Sequence, residues 1–567
     1  MNKFKYILTL VIGFCSTQLM AQEEEEFINV SEAEREISPS YRITEHPTVI
    51  DTVIPTPTIE YPLLNKSMKT SITIQGIEPS KIKIVDKLDR LYPGYLKVGL
   101  GNYTMPLGEL YFNSTRNRST AYGIHVKHLS SFGKIKGYAP TQFDNTNALI
   151  FGDFSTSKLK INSQLNWLNH GYHYYGIQND SIPKDSLKNR VGMYGGAVNF
   201  SNIARKDSNR LLFNAGIDYK YFHEFLKDSL PVSDNAREHN FGVNTNWKYK
   251  YQGNLFALDA DLRLNSYKFG EADTNLIGYQ KQEKNHIIHF RPTISSYRFD
   301  NKLKAEVGFD LNFDLSANTV FKPLVVANAR YILLNGMFIP YIGLDGGLTQ
   351  NTFYSLNRGN YYINSAVDLK NTKTFKFFAG IRGTLSKTIS FDLAFESIKW
   401  TDKPLYFNDT IFSDMYKFNV IYDDVSDLRF KGSLSYQKNE KLKLDAIGEY
   451  NVYSATNQQY AWNLPTVKFT FRGNYNLFDK FYVKADFTFM DGRKSPKGIL
   501  NPDANQSNSD NFNLGLIADA NLGFEYRYNK RISAFVQFNN LANQKYMLWY
   551  NYPVYGFQVL GGVTLGF

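Results

Sequence analysis

The side chains able to do chemistry are few, and their spacing is informative. Three histidine pairs repeat a separation of three: His125 with His128, His170 with His173, and His286 with His289. On a helix that spacing puts both rings on one face, whereas on a strand it sends them to opposite faces, where they cannot share a metal. His170 and His173 fall at an expected loop and escape that objection. No serine-centred glycine turn accompanies them, so a hydrolytic triad is not expected. Asn501, Asp503, Asn505, Asn508 and Asp510 make an oxygen-rich loop. It lacks the fixed ligand spacing of a calcium-binding loop and reads as solvated. Tyr172, Tyr174 and Tyr175 could stack on a sugar or a partner, or simply pack their own loop. Cys15 is the single cysteine. No catalytic residue, metal ligand or cofactor site is expected, and the chain is not expected to be an enzyme.

Residues 1–21 read as a secretory signal peptide. Lys3 and Lys5 precede an apolar stretch from Ile7 to Cys15, polar Ser16, Thr17 and Gln18 follow, and Ala21 offers a cleavage site. Cys15 leaves with this leader, so disulfides and thiolate metal sites drop out. Residues 22–93 open with the acidic run Glu23 to Glu26 and turn Pro/Thr-rich at Pro47, Pro55, Pro57 and Pro62, as suits an extended periplasmic segment. The formal net charge is +11. The basic residues are dispersed instead of gathered into a phosphate-tracking patch, so nucleic acid is not an expected partner.

From residue 94 onward the pattern has period two. Phe256, Leu258, Ala260, Leu262 and Leu264 interleave with Ala257, Asp259, Asp261, Arg263 and Asn265; Ala305, Val307, Phe309, Leu311 and Phe313 interleave with Glu306, Gly308, Asp310, Asn312 and Asp314. A soluble sandwich would alternate in the same way. Turn length separates the two. Short turns hold Arg118, Thr156, Lys206, Gln252, Asn301, Asn335, Lys387, Asn439, Asp479 and Lys530, while long connections fall near residues 171–190, 270–284, 352–374, 401–415 and 493–511. Tight turns at one end and long loops at the other are the periplasmic and extracellular ends of an outer-membrane barrel. The expected fold is all-β, a transmembrane antiparallel up-and-down barrel of about 22 strands, within about 18 to 24. Asp423, Asp424 and Asp427 leave open a bulge or an additional turn. The aromatic load, 43 Phe and 40 Tyr, then supplies lipid-facing rows and interfacial girdles, with Tyr219, Tyr221, Phe313, Phe478 and Phe489 expected near strand ends.

The final strand presents Phe557, Val559, Gly561, Val563, Leu565 and Phe567 on one face. Val563, Leu565 and the terminal Phe567 suit recognition by the barrel-assembly machinery. With Asn540, Leu541, Ala542, Asn543, Gln544, Lys545 and Tyr546 before it, and Trp462, Asn463, Leu464 and Pro465 ahead of an earlier strand, this tail resembles the barrel of the TonB-dependent receptors. The resemblance implies a 22-stranded barrel that carries a scarce nutrient across the outer membrane with energy from the inner-membrane TonB complex. Receptors of that family place a folded plug before the barrel, and residues 22–93 are too short for one. Asp51, Thr52, Val53 and Ile54 resemble the TonB-contacting box, an extended β-branched segment able to pair with another strand.

A bore of this width is not filled by wall side chains alone. Residues 22–93, infolded loops or another protein should occupy it. Asp218, Lys220, Asp259, Asp261, Arg263, Glu306, Asp310, Lys484 and Asp486 are the expected inward polar residues, a wetted and charge-balanced wall. Two functions fit: solute uptake across the outer membrane, and a non-conducting scaffold for periplasmic or cell-surface partners. Expected partners are membrane lipid, the assembly machinery, and TonB or other envelope proteins.

Overall fold

The computed structural model describes residues 91–117, 119–203, 211–225, 236–270, 280–316, 319–408, 416–496 and 511–567. Expectations placed on the leader, on Asp51 to Ile54 and on the loop from Asn501 to Asp510 lie outside the described residues.

A sheet with one apolar and one polar face satisfies both by closing on itself in a membrane, because closure leaves no unpaired edge. Here 22 antiparallel strands close, the first, Gly94–Gly101, pairing with the last, Gln558–Gly566, from Tyr95↔Gly566 to Gly101↔Leu560. A short stretch, Gln280–Lys284, runs on past Asn285 into His286–Arg298, and both pair with Asn254–Gly270. Exposure follows the alternation: Ile217 and Tyr219 are 48% and 43% exposed, whereas Asp218 between them is ion-paired. A sandwich would cover that apolar row. Left bare on a closed sheet, it is the lipid-facing band of an outer-membrane-type barrel. Among the described residues no helix is long and apolar enough to cross a membrane.

All ten expected short turns fall between consecutive paired strands, although Arg118 and Lys206 themselves lie outside the described residues. Gln252 and Gly253 join Tyr251 to Asn254 with φ of 46° and 77°. Two positive values make the hairpin turn whose twist matches the flanking strands, and glycine takes the second without cost. The acidic stretch is not a turn, and the bulge lies across from it, in the neighbouring strand. Phe418–Lys438 is one strand of 21 residues, and its register with Ile389–Asn408 shifts between Trp400 and Lys403. Asp402 takes up the shift with a φ of 55° and donates its amide to Asp424 Oδ1 at 3.1 Å. The expected loop at His170 and His173 begins later: both lie on the strand Leu159–His173. Their spacing therefore separates them, with His170 stacked on Tyr172 and the His173 ring set between the carbonyls of Gln142 and Lys184.

Two departures from a uniform cylinder matter below. The wall is low at the seam, where Gly94–Gly101 and Ile532–Asn539 have 8 residues each, and tall at Ile389–Asn408 and Phe418–Lys438, with 20 and 21. In addition, Thr319–Tyr331 and Ile339–Thr349 pair at only four positions, Ala327↔Leu344 to Arg330↔Tyr341. On their other sides both are paired throughout, Thr319–Tyr331 with Leu303–Leu315 and Ile339–Thr349 with Thr372–Ser386. Beyond Ala327 the wall parts.

Candidate functional site

The polar rows gather into ion-pair clusters on the face opposite the lipid band. Arg263 donates to Asp218 at 2.7 Å and to Asp261 at 3.1 Å. Asp259 accepts from Asn246, and Asp310 from Arg291, with His289 Nε2 at 2.9 Å from the same carboxylate. Glu306 meets Lys304 at 2.8 Å and Asp486 meets Arg472 at 3.8 Å. Lys220 and Lys484 stand two residues along from Asp218 and Asp486, in the same rows. Asp218, Asp261 and Arg263 thus form one cluster, while Glu306, Asp310 and the pair Lys484 and Asp486 occupy other parts of the wall. Sequence reasoning missed Arg291, buried with Asp310.

Above these clusters the long loops meet. Residues 350–371 leave the wall and carry a short helix of about two turns, Phe353–Gly359, whose start is capped reciprocally by Thr352 and Ser355. A helix start exposes unsatisfied amides and a partial positive charge. Glu238 answers both: its carboxylate accepts from the amides of Phe353 at 2.7 Å and Tyr354 at 2.8 Å, and from Asn265 Nδ2 at 2.9 Å. Further along, Tyr267 donates to the Ser365 carbonyl at 2.6 Å and Ser365 Oγ donates to Glu224 at 2.5 Å. At the base, Gln350 Nε2 donates to the Asn285 carbonyl, and Asn285 Nδ2 to that of Asn351, at 2.6 and 2.7 Å.

The apolar side of this loop completes an aromatic cluster. Phe353, Leu356, Ile363 and Val367 pack with Tyr172, Tyr174, Phe222 and Tyr267 from one part of the wall and with Phe418 and Tyr552 from others. Tyr362 stacks on Tyr552 at 3.8 Å, and Tyr175 donates to the Pro553 carbonyl at 2.9 Å. Strands so far apart around a closed barrel bring loops together only across its mouth, so the cluster roofs the lumen. Tyr172, Tyr174 and Tyr175 are spent in this packing. Burial pushes the phenols of Tyr175, Tyr362 and Tyr552 above the usual tyrosine range. The tall hairpin joins in, with Tyr406 donating to the Leu356 carbonyl at 3.1 Å and Tyr422 to that of Asp368 at 3.0 Å.

The motifs of the tail fasten the other loops. Trp462 is buried and donates to Gln458 Oε1 at 3.0 Å, while Asn463 Nδ2 donates to the Tyr406 carbonyl at 2.8 Å. Asn540 Nδ2 bridges the carbonyls of Gln544 and Tyr555, at 2.8 and 2.9 Å. Val563, Leu565 and Phe567 are all exposed on the outer face. The roof itself had a signal in the sequence: Phe353, Leu356, Ile363, Val367 and Leu369 are too apolar for a solvated loop.

A closed barrel with a charged inner wall, roofed by its own loops, is a transmembrane barrel of the outer-membrane type. Solved structures agree on the fold. The FrpB iron transporter of Neisseria meningitidis superposes with a TM-score of 0.63 over 85% of this chain and 82% of its own, at 10% identity. The siderophore receptor PirA of Acinetobacter baumannii gives 0.62 over 85% and 81%, at 13% identity. The ferripyoverdine receptor of Pseudomonas aeruginosa gives 0.62 over 85% and 72%, at 11% identity. The barrel is thus that of the TonB-dependent receptors in architecture. No family profile matches the sequence, and no curated protein matches it.

Proposed function

We propose that this chain is an outer-membrane uptake barrel that admits a solute through a lumen closed at rest by its own loops. The observation that carries the reading is the receptor barrel fold combined with a charge-paired inner wall beneath the aromatic roof. Residues 22–93 extend into the periplasm, and Asp51, Thr52, Val53 and Ile54 engage TonB there as an added strand. Val563, Leu565 and Phe567 are the mark by which the assembly machinery takes the chain. No catalytic step is involved: the inner wall orients and solvates the cargo.

Planar-bilayer conductance of the purified chain tests this. The full chain should be closed, and a variant lacking residues 353–369 should show discrete openings. A lumen that stays closed after that deletion and after removal of residues 22–93 would leave only the scaffold. Removing residues 22–93 separately reports whether the extension also gates, since opening on that truncation alone would assign the gate to it. Retention of TonB's periplasmic domain by the full chain should be lost on Val53→Pro, which removes a donor from the added strand.

A further inference from the structure

Lipid offers no hydrogen bonds, so an open sheet edge at hydrocarbon depth is not tolerated and is covered by protein. The parted wall leaves such an edge. On Thr319–Tyr331 the outward row runs Phe321, Pro323, Val325, Ala327, Ala329 and Tyr331, opposite Phe313, Leu311, Phe309, Val307, Ala305 and Leu303 on the neighbouring strand. Every residue in both rows is apolar. The band runs from Tyr331 up to the Phe313 and Phe321 rings, which lie 4.9 Å apart, a span of about 11 residues that matches a membrane-crossing strand. The ladder to Ile339–Thr349 stops at Ala327↔Leu344. Residues 321–326 therefore lie within the band and lack a partner strand on one side, and Phe321 and Val325 are 51% and 39% exposed.

The strand that should have closed the gap has turned inward. Arg291 belongs to a strand three places away, yet its Nη2 donates to the Gly346 carbonyl at 2.8 Å and its guanidinium pairs with Asp310. Leu324 and Val326 are buried. A Cβ at Gly346 would stand 2.8 Å from Leu324 Cδ1, so Gly346 lets the inward strand lie behind the edge. Pro323 gives the direction of the free groups. A proline within a sheet takes a position whose missing amide faces away from a ladder. With the alternation of two, the amides of Phe321 and Val325 and the carbonyls of Phe321, Pro323 and Val325 then point to the open side.

We propose that residues 319–326 are a docking edge for one ascending, extended segment of a different polypeptide in the same membrane, apolar at alternate positions, added antiparallel to the barrel wall. Strands of this wall pair antiparallel, and an antiparallel addition excludes a second copy. The same edge of another copy in the same membrane descends as well, and its ascending counterpart, residues 345–349, is turned inside. This inference does not depend on whether the lumen carries solute.

Amide exchange of the full chain tests it, in native outer membranes and again after extraction into detergent. The amides of Phe321 and Val325 should be as protected as those of Leu303–Leu315 in the membrane and exchange at least roughly tenfold faster once the extracted particle has the mass of a single chain. Fast exchange in the membrane, or slow exchange in a particle of single-chain mass, would overturn the proposal. Val325→Pro removes an edge amide without touching the ladder to Phe309. It should abolish the membrane protection at Phe321 while leaving that of Leu303–Leu315 intact. A photo-crosslinking side chain at Val325 should join a second, different polypeptide, and one at Phe309 none; a product joining two copies of this chain would also sink it.

Discussion

Glu238 holds the roof more firmly than any single ring does. It satisfies two helix amides and an asparagine from one buried carboxylate, and charged hydrogen bonds of this kind are each worth about 1.5–3 kcal/mol, against roughly 0.5–1.5 kcal/mol for an aromatic pair. Glu238→Ala should therefore loosen residues 350–371 by roughly 2–4 kcal/mol. Limited proteolysis of that loop should rise while the barrel keeps its heat-modifiable migration. Glu238→Gln, which keeps one neutral acceptor, should cost about half as much. The tyrosines supply a pH dependence. Burial raises the phenols of Tyr175, Tyr362 and Tyr552, so folding holds their protons more tightly than the unfolded chain does. Their contribution is whole below the ordinary tyrosine value of 10.0 and is lost as pH rises through the raised folded values. Tyrosinate absorbance should show these three ionising after the exposed tyrosines, together with loosening of the loop. None of these roles was legible in residue types alone. Glu238 reads as one more polar position in an alternating strand, and its partner lies more than a hundred residues away.

At the scale of elements the sequence was far more explicit, because period and turn chemistry are local. Asn301, Asn335, Asn439 and Asp479 each take the left-handed conformation that asparagine and aspartate tolerate, and each had marked a turn. The turn at Gly253, with its φ of 77°, makes the point testable. Gly253→Ala should cost about 1 kcal/mol, read as a lower midpoint for loss of the heat-resistant band. What local pattern could not convey was where a strand leaves the wall. Ile339–Thr349 alternates as its neighbours do, and only the proline at 323 and the consecutive glycines Gly346 and Gly347 hint that pairing fails beside it. The loop at residues 350–371 shows a related limit: length marked it as a long outer connection, while the strands its apolar residues pack against are distant in sequence.

For the molecule as a whole, strand number and closure followed from counting, and the need for a filler followed from the width of the bore; which segment fills the mouth did not, since the roof arises from loops that meet only after the barrel has closed. Closure is sealed by reciprocal bonds between Gly94 and Phe567, at 2.9 and 3.0 Å, with the Phe567 ring exposed beside them. That separates two roles for the last residue. If the ring is a recognition mark, Phe567→Asp should lower the amount of folded barrel in membranes several-fold yet leave refolding into detergent micelles unchanged; equal losses in both would make it a structural residue only.

The unequal height of the wall has a consequence for whatever approaches from outside. A dozen or so extra residues in the tall strands, at about 3.3 Å each, add roughly 40 Å of strand. That length is spent over the mouth: the top of the tall hairpin, at Tyr406 and Phe418, reaches Trp549 of the loop before the last strand. The tall side is thus an eave, and a bulky visitor such as an antibody or a bacteriophage fibre meets its outer slope before it meets the lumen.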